Sequence, residues 1–281
     1  MRSKAQGEGA AAAGTRHRRG DRVTTAEMET RERSSLPCPA PAMPETADRT
    51  PSPEEVEAPF LAQVWAVARK DLLLEARSRE RLLSMGTFAV LVAVVFSFAV
   101  DPTVRARSIA GAMIWVTVLF AGTLGLGRSF ALEREAEALT GVMLAPVDRG
   151  AFFLGKWLAN LAIVLTVEAL IFPVFALFFN LSFRGSLAAL VAVVVLATAG
   201  FIALGTLFGA IAAHTRLGET LLPILLLPLL APVIIFACAA TQRLLVGRPV
   251  GDVASQLKML LAFDLVFLFV CTAVFGVVLE E

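Results

Sequence analysis

The chain has 281 residues, of which 57% are hydrophobic, and its formal net charge is +1. The apolar excess lies after residue 82, so the composition indicates a membrane protein rather than a soluble domain. A nearly neutral chain has no general basic field, which argues against a nucleic-acid partner. Three scattered cysteines, Cys38, Cys238 and Cys271, match neither a disulfide framework nor a metal-ligand spacing.

Residues 1–58 form a compositional block of their own. They are rich in Arg, Gly and Ala, and then in Pro and acidic residues. Such a segment has too little apolar surface to offset its ordering entropy, which predicts a disordered N-terminal tail. Residues 59–281 are predicted to form a single transmembrane domain.

The segment 60–81 is predicted to be an amphipathic elbow helix in the membrane interface. At helical spacing Trp65 and Ala68 lie on an apolar face, while Lys70 and Arg81 lie on the opposite, basic face. The interface is favoured because a membrane span follows at once. A helix packed on another, soluble domain is the alternative.

Six apolar segments are long enough to cross a bilayer, since a span needs about 20 mostly apolar residues. The sequence predicts spans at about 83–100, 109–127, 152–179, 187–213, 220–240 and 259–279. The predicted fold class is therefore an all-α polytopic membrane protein with six transmembrane helices, an N-terminal elbow helix and a cytoplasmic coupling helix.

The basic residues favour a cytoplasmic location for both termini. The cytoplasmic flanks of the spans then hold Arg69, Lys70, Arg77, Arg79, Arg81, Arg128, Arg134, Arg149 and Arg216, against Arg105, Arg107, Arg184, Arg243 and Arg248 on the other side. This asymmetry follows the positive-inside rule.

The longest charged interruption lies between the second and third spans. Residues 130–139 have a helical pattern with alternating carboxylates, and a proline ends the pattern. A helix held at the surface between two spans predicts a contact for a partner outside the bilayer. The residues predicted for this interface are Arg128, Phe130, Glu133, Glu135, Glu137, Leu139 and Pro146.

A second cytoplasmic turn and the fifth span follow further along the chain. The turn is predicted at Thr215, Arg216, Gly218 and Glu219, and the span carries Pro223, Pro228 and Pro232. Prolines remove backbone donors and bend helices. The fifth span is therefore either a bent helix that moves or lines a path, or only a distorted packing helix.

Acidic residues within the spans are few, and they are functional candidates because they are costly in lipid. Glu168 lies deepest and is predicted to line a substrate path, to pair with a partner subunit, or to stay uncharged. Asp264 is predicted near one end of its span, where its carboxyl group would reach the headgroups.

Residues 150–156 match the start of a phosphate-binding loop, but the match is incomplete. Trp157 stands where that motif needs Ser or Thr, and no strand is predicted before it. Lys156 is instead predicted to extend to the membrane interface. No catalytic, cofactor-binding or metal-binding residues are predicted, so the chain is expected to be a transport subunit rather than an enzyme.

Two segments resemble a known family. They are Arg128-x-Phe-x-Leu-Glu133-x-Glu135 with Leu139, Pro146 and Lys156, and the run from Thr215 to Phe236. With the elbow and six spans, the chain from about Phe60 onward resembles ABC-2-type exporter permeases. More narrowly, it is similar to the haem exporter protein B (CcmB) family of cytochrome c maturation.

The resemblance implies a subunit of a bacterial inner-membrane complex. Its implied partners are a cytoplasmic ABC ATPase, a second copy of this chain, a haem-handling membrane subunit and membrane lipid. ATP would be bound by the ATPase, and its use would release a haem-loaded chaperone; no haem ligand is assigned in this chain. An ABC-2 permease for a lipid, glycan or drug is one alternative. An ion-coupled carrier or an intramembrane enzyme is an alternative of another class.

Overall fold

The computed structural model describes residues 59–100, 106–135, 148–181, 186–213 and 218–278. In these ranges the chain is all-helical, with seven α-helices and a short 3-10 turn at Val250–Val253. The helices are α1 (Phe60–Ser78), α2 (Glu80–Ala99), α3 (Ala106–Glu135), α4 (Arg149–Phe178), α5 (Leu187–Ala213), α6 (Gly218–Leu245) and α7 (Ala254–Val278). The predicted tail, 1–58, lies outside the described residues.

Six segments are long and apolar enough to cross a membrane, which confirms the prediction of an all-α fold with six membrane-spanning helices. They are Glu80–Ala99, Ser108–Ser129, Arg149–Phe178, Leu187–Ala212, Pro223–Leu245 and Val250–Gly276. The last one begins earlier than predicted, because polar residues such as Gln256 and Lys258 continue the helix. Large apolar side chains such as Phe98 and Phe269 are exposed, as expected where lipid covers the protein.

The bundle has two ends, which we call the elbow side and the far side. The elbow side carries α1, the first turns of α2 and α4, and the last turns of α3 and α7. There the Arg149 side chain of α4 donates to the carbonyl of Gly276 in α7 at 3.0 Å. At the far side the backbone N–H of Gly111 in α3 donates to the Gln242 side chain of α6 at 3.3 Å.

Helix α5 lies at the centre of the bundle. It packs against α3, α4, α6 and α7. Small and branched side chains such as Val193, Ala197 and Ile202 are fully buried along it. Helices α3 and α6 are further joined by a hydrogen bond from the Trp115 indole to the Thr241 hydroxyl, at 2.9 Å.

Helix α3 extends beyond the membrane span that precedes the predicted coupling segment. The predicted helix over residues 130–139 is, as far as Glu135, a direct continuation of the second span rather than a separate surface helix. Residues 136–147 lie outside the described residues, and so do 214–217. The predictions for Glu137, Leu139, Pro146, Thr215 and Arg216 fall in these two ranges.

Candidate functional site

The elbow helix α1 joins α2 through a single residue, Arg79, whose backbone is left-handed with φ 52° and ψ 7°. The Arg79 N–H donates to the carbonyl of Glu75 at 2.8 Å and so ends α1. The Glu75 carboxylate accepts from the backbone N–H of Leu82 at 3.0 Å. A carboxylate on the first turn of a helix satisfies a free N–H and complements the helix dipole. Glu75 therefore fixes the angle between the elbow and the first span.

Arg81 lies just beyond this turn and is buried, with only 6% of its surface exposed. Its Nε lies 3.4 Å from Oε2 of Glu75, and its Nη1 donates to Oδ1 of Asn160 at 3.0 Å. The Asn160 amide in turn donates to the Thr206 hydroxyl at 3.4 Å. These contacts connect α1, α2, α4 and α5.

The burial of Arg81 corrects the predicted elbow. The prediction extended one helix over 60–81 and placed Arg81 on its exposed, basic face. The left-handed residue Arg79 ends α1 at Ser78 and turns the chain, so that Arg81 points into the bundle from α2.

Lys156 is the second buried cation, with 2% of its surface exposed. Its Nζ lies 2.6 Å from Oδ2 of Asp71 in α1 and 5.8 Å from the centre of the Phe152 ring. The prediction that Lys156 extends to the interface is wrong, because α1 lies over this part of α4 and supplies a carboxylate. Charge pairing of this kind is what makes a buried ammonium tolerable.

Gly155 allows α1 to approach α4 closely. A Cβ at this position would lie 2.6 Å from the Cβ of Val67 and 2.9 Å from the carbonyl of Val64. Gly155 and Lys156, the last two residues of the segment that resembles a phosphate-binding loop, thus lie on the surface where the elbow docks. We call this cluster the elbow joint; it consists of Asp71, Glu75, Arg81, Gly155, Lys156 and Asn160.

The elbow joint could not be predicted from the sequence, because its partners lie far apart in the chain. Asp71 and Lys156 are 85 positions apart in the chain. Helical spacing alone does not show that the Asp71 face of α1 is the face that contacts α4.

The predicted coupling segment begins after the last turns of α3, where Arg128 forms an ion pair with Glu80 at the start of α2. Arg128 is the one predicted interface residue between 128 and 146 whose side chain is described. Phe130, Glu133 and Glu135 follow it on the same helix. The chain entering this segment is therefore tied to the beginning of the first span.

The chain leaving the segment is tied to two further elements. The backbone N–H of Asp148 donates to Oε1 of Gln63 in α1 at 2.9 Å. The Asp148 carboxylate caps α4 by accepting from the N–H of Ala151 at 3.1 Å. Arg149 contacts the carbonyl of Gly276 in α7. Both flanks of residues 136–147 thus contact elements on the elbow side.

Two carboxyl groups lie deeper in the bundle, away from the elbow joint. Glu168 in α4 is 1% exposed and its Oε1 accepts from the Thr198 hydroxyl of α5 at 2.7 Å. Asp264 lies near the middle of α7 rather than at the end of its span, which corrects the prediction. It faces Gly200 of α5, where a Cβ would lie 2.5 Å from Oδ1.

The remaining predicted path residues, Pro223, Pro228 and Pro232, all lie inside α6, which continues through them. Gly218 and Glu219 form its first turn. In the described part of the chain, no group of three or more His, Cys, Asp or Glu residues is placed to hold a metal ion.

Comparisons with known proteins give one consistent result. A family model described as CcmB protein matches residues 62–280. Heme exporter protein B of Paracoccus denitrificans is 31% identical over 201 residues, which cover 71% of this chain and 90% of that protein. The proteins of the same name from Bradyrhizobium diazoefficiens and Pseudomonas aeruginosa are 32% and 30% identical, each over 65% of this chain and 82% of the relative. The matched residues include the whole elbow joint.

Proposed function

Because the chain belongs to the CcmB family, we propose that it is the membrane permease subunit of an ABC transporter complex for haem export in c-type cytochrome biogenesis. The name of its relatives, Heme exporter protein B, supports this assignment. The chain is a multi-pass membrane protein and a transport component. It draws its energy from ATP bound to a partner subunit, and no residue of this chain is assigned to haem.

The main support for a coupling role is that residues on both sides of the segment 136–147 contact other helices. A partner that pushes on this segment acts on α3 through Arg128 and on α4 through Asp148 and Arg149. Helix α4 carries Lys156 and Asn160, so its displacement moves α1 and α2 with it. Buried, closely packed contacts of this kind transmit displacement because packed interfaces do not deform continuously.

In this proposal the elbow side faces the cytoplasm and both termini lie there, in agreement with the basic residues. The ATPase contacts α3 near Glu133 and Glu135, together with residues 136–146 and the turn that ends at Gly218 and Glu219. A second copy of this chain and a haem-handling membrane subunit complete the complex. The ATP cycle serves the release of a haem-loaded chaperone on the far side.

Charge reversal of the acidic segment tests the coupling role. In the triple variant Glu133→Lys, Glu135→Lys, Glu137→Lys, we expect the ATPase to be lost from the purified complex while the chain still inserts into the membrane. The control is Asp252→Lys, an exposed acidic residue on the far side. Retention of the ATPase by the triple variant at the level of the control would refute this interface.

Deletion of the gene tests the haem assignment separately. We expect covalently haem-stained c-type cytochromes to disappear and to return when the gene is supplied again. Normal c-type bands in the deletion strain would reject haem export and favour another cargo of an ABC-2 permease, such as a lipid, glycan or drug. If the ATPase also fails to co-purify with the unaltered chain, the hypothesis that the chain is an ABC transporter permease is wrong.

A further inference from the structure

A cavity of about 330 Å³ lies between α4 and α5 in the far half of the bundle. Of the nine residues that line it, eight are apolar, including Leu165, Phe172, Leu190 and Val194. The ninth is Glu168. A volume of a few hundred Å³, apolar walls and a single well-placed polar group are typical of sites for small molecules.

The carboxyl group of Glu168 is only half satisfied within the protein. Oε1 accepts from Thr198, but Oε2 is buried and has no hydrogen-bond partner in the described residues. A buried polar atom that lacks a partner costs about 1–3 kcal/mol. Glu168 lines the cavity, so a donor that binds there and reaches Oε2 would recover this free energy, whereas an apolar molecule would not.

The cavity opens sideways, towards the hydrocarbon of a membrane. Its rim on α5 includes Leu187 and Val191, which are exposed and apolar. Both belong to the membrane-crossing segment Leu187–Ala212. The rim extends from Leu187 to Val195, about 12 Å along the helix at 1.5 Å per residue. A molecule reaching this cavity therefore comes from the lipid phase.

We infer that this cavity is a binding site for a long-chain apolar molecule that carries one hydroxyl or amine group, which donates a hydrogen bond to Oε2 of Glu168. The eight apolar residues contact the chain of the molecule, and the carboxyl group selects for the donor. In the proposed orientation the site opens to the outer leaflet. The site is independent of the elbow joint and of the assignment to haem export.

A second groove in the same bundle serves as an internal control. It has a similar volume, about 350 Å³, and lies between α2 and α4, with Leu82, Gly86, Val90 and Leu170 among its lining residues. Its lining includes no carboxyl group. Thr87 is the only polar residue in its lining, so a donor bound there meets a hydroxyl group rather than a carboxyl group.

The test uses three photoactivatable long-chain compounds with the same alkyl tail, ending in an alcohol, an amine or a methyl ether. The full chain is labelled in phosphatidylcholine nanodiscs and the labelled peptides are mapped by mass spectrometry. We expect the alcohol or the amine to label the α4–α5 cavity roughly five-fold more than the ether, as one net hydrogen bond allows. The α2–α4 groove, which has no carboxyl group, is expected to show a smaller preference.

Two variants decide whether the preference arises at this site. Glu168→Leu should abolish the preference for the donor, and Val194→Phe should reduce labelling by all three compounds without touching the carboxyl group. Labelling of the α2–α4 groove should be unchanged in both variants. Equal labelling by the ether and by both donors in the unaltered chain overturns the proposal, and so does labelling that persists in Val194→Phe.

Discussion

The ionisable groups buried on the elbow side differ from those in the middle of the bundle. On the elbow side, Arg81 and Lys156 each contact a carboxylate of α1. In the middle, Glu168 and Asp264 have no cation within ion-pair distance in the described residues, and three of their four carboxyl oxygens accept no hydrogen bond. In the first region the buried charges are paired across helices, although Nε of Arg81 donates no hydrogen bond within the described residues. The second has hydrogen-bonding capacity that the chain itself does not use.

The difference follows from what burial costs. Removing one partner of a buried ion pair leaves an uncompensated charge, whereas removing both is often neutral. The elbow joint should therefore be sensitive to single substitutions and tolerant of matched pairs. The central carboxyl groups should tolerate single substitutions, since they have few contacts to lose.

The largest effect is expected at Asp71. Asp71→Leu leaves the Lys156 ammonium buried without its carboxylate, which should lower the free energy of unfolding by about 3–5 kcal/mol. The double variant Asp71→Leu, Lys156→Met removes both charges and should recover most of this loss. Denaturant unfolding in detergent micelles measures both variants.

The control for this cycle is the exposed pair of Arg248 and Asp252 on the far side, at 3.5 Å. Asp252→Leu should change the unfolding free energy by less than about 1 kcal/mol, since exposed pairs contribute little. If the double variant in the elbow joint is no more stable than Asp71→Leu alone, the ion pair is not the reason for the loss.

The next largest effect is expected at Gly155. In Gly155→Leu the new side chain meets Val67 and the backbone of Val64, so α1 must move away from α4. Overpacking of this kind should cost up to about 3 kcal/mol and should reduce the assembly of c-type cytochromes. Midpoints of thermal unfolding and haem staining of membranes measure the two effects.

Gly127→Leu is the matched control for this substitution. Gly127 also lies in a helix, but a Cβ there meets no described atom within 4 Å. We expect wild-type stability and wild-type cytochrome assembly. Equal behaviour of the two glycine variants would mean that close docking of α1 on α4 is not required.

The fold was largely predictable from the sequence, whereas the elbow joint was not. Runs of about 20 apolar residues identify spans because the hydrocarbon thickness sets their length. The partners of Arg81 and Lys156 could not be identified in this way. They depend on how Arg79 turns the chain and on which face of α1 packs against α4. Both are tertiary properties. The local rule that a lysine near the end of a span extends to the membrane interface therefore led to a wrong prediction for Lys156.

Glu168 was selected correctly as a deep polar residue, while its surroundings were not predictable. The cavity beside it depends on the spacing of α4 and α5, which the sequence of neither helix specifies. Asp264 was misplaced because its span was predicted to begin at 259, which excluded the polar first turns of α7. The coupling segment at 136–147 remains a prediction.

A direct comparison of the two regions pairs Asn160→Leu with Glu168→Leu. Asn160→Leu removes the acceptor for Nη1 of Arg81 and should cost about 2 kcal/mol, because a charged donor is left buried. Glu168→Leu leaves the buried Thr198 hydroxyl without its acceptor but also removes an unsatisfied oxygen, so the two effects offset each other and we expect a change below about 1 kcal/mol. Unfolding free energies in detergent measure both; a larger loss for Glu168→Leu would invert the comparison.

The smallest effect concerns the turn that creates the elbow joint. Left-handed backbone costs a non-glycine residue about 1–2 kcal/mol, while glycine adds chain entropy, so Arg79→Gly should stabilise the protein by about 0.5–1 kcal/mol. Arg77→Gly, two residues earlier within α1, is the control and should destabilise by about 1 kcal/mol through lost helix propensity. The two variants are expected to change the unfolding free energy in opposite directions only if the left-handed turn lies at Arg79. Equal losses in both variants would mean that the Arg79 side chain contributes more to the elbow joint than its backbone conformation costs.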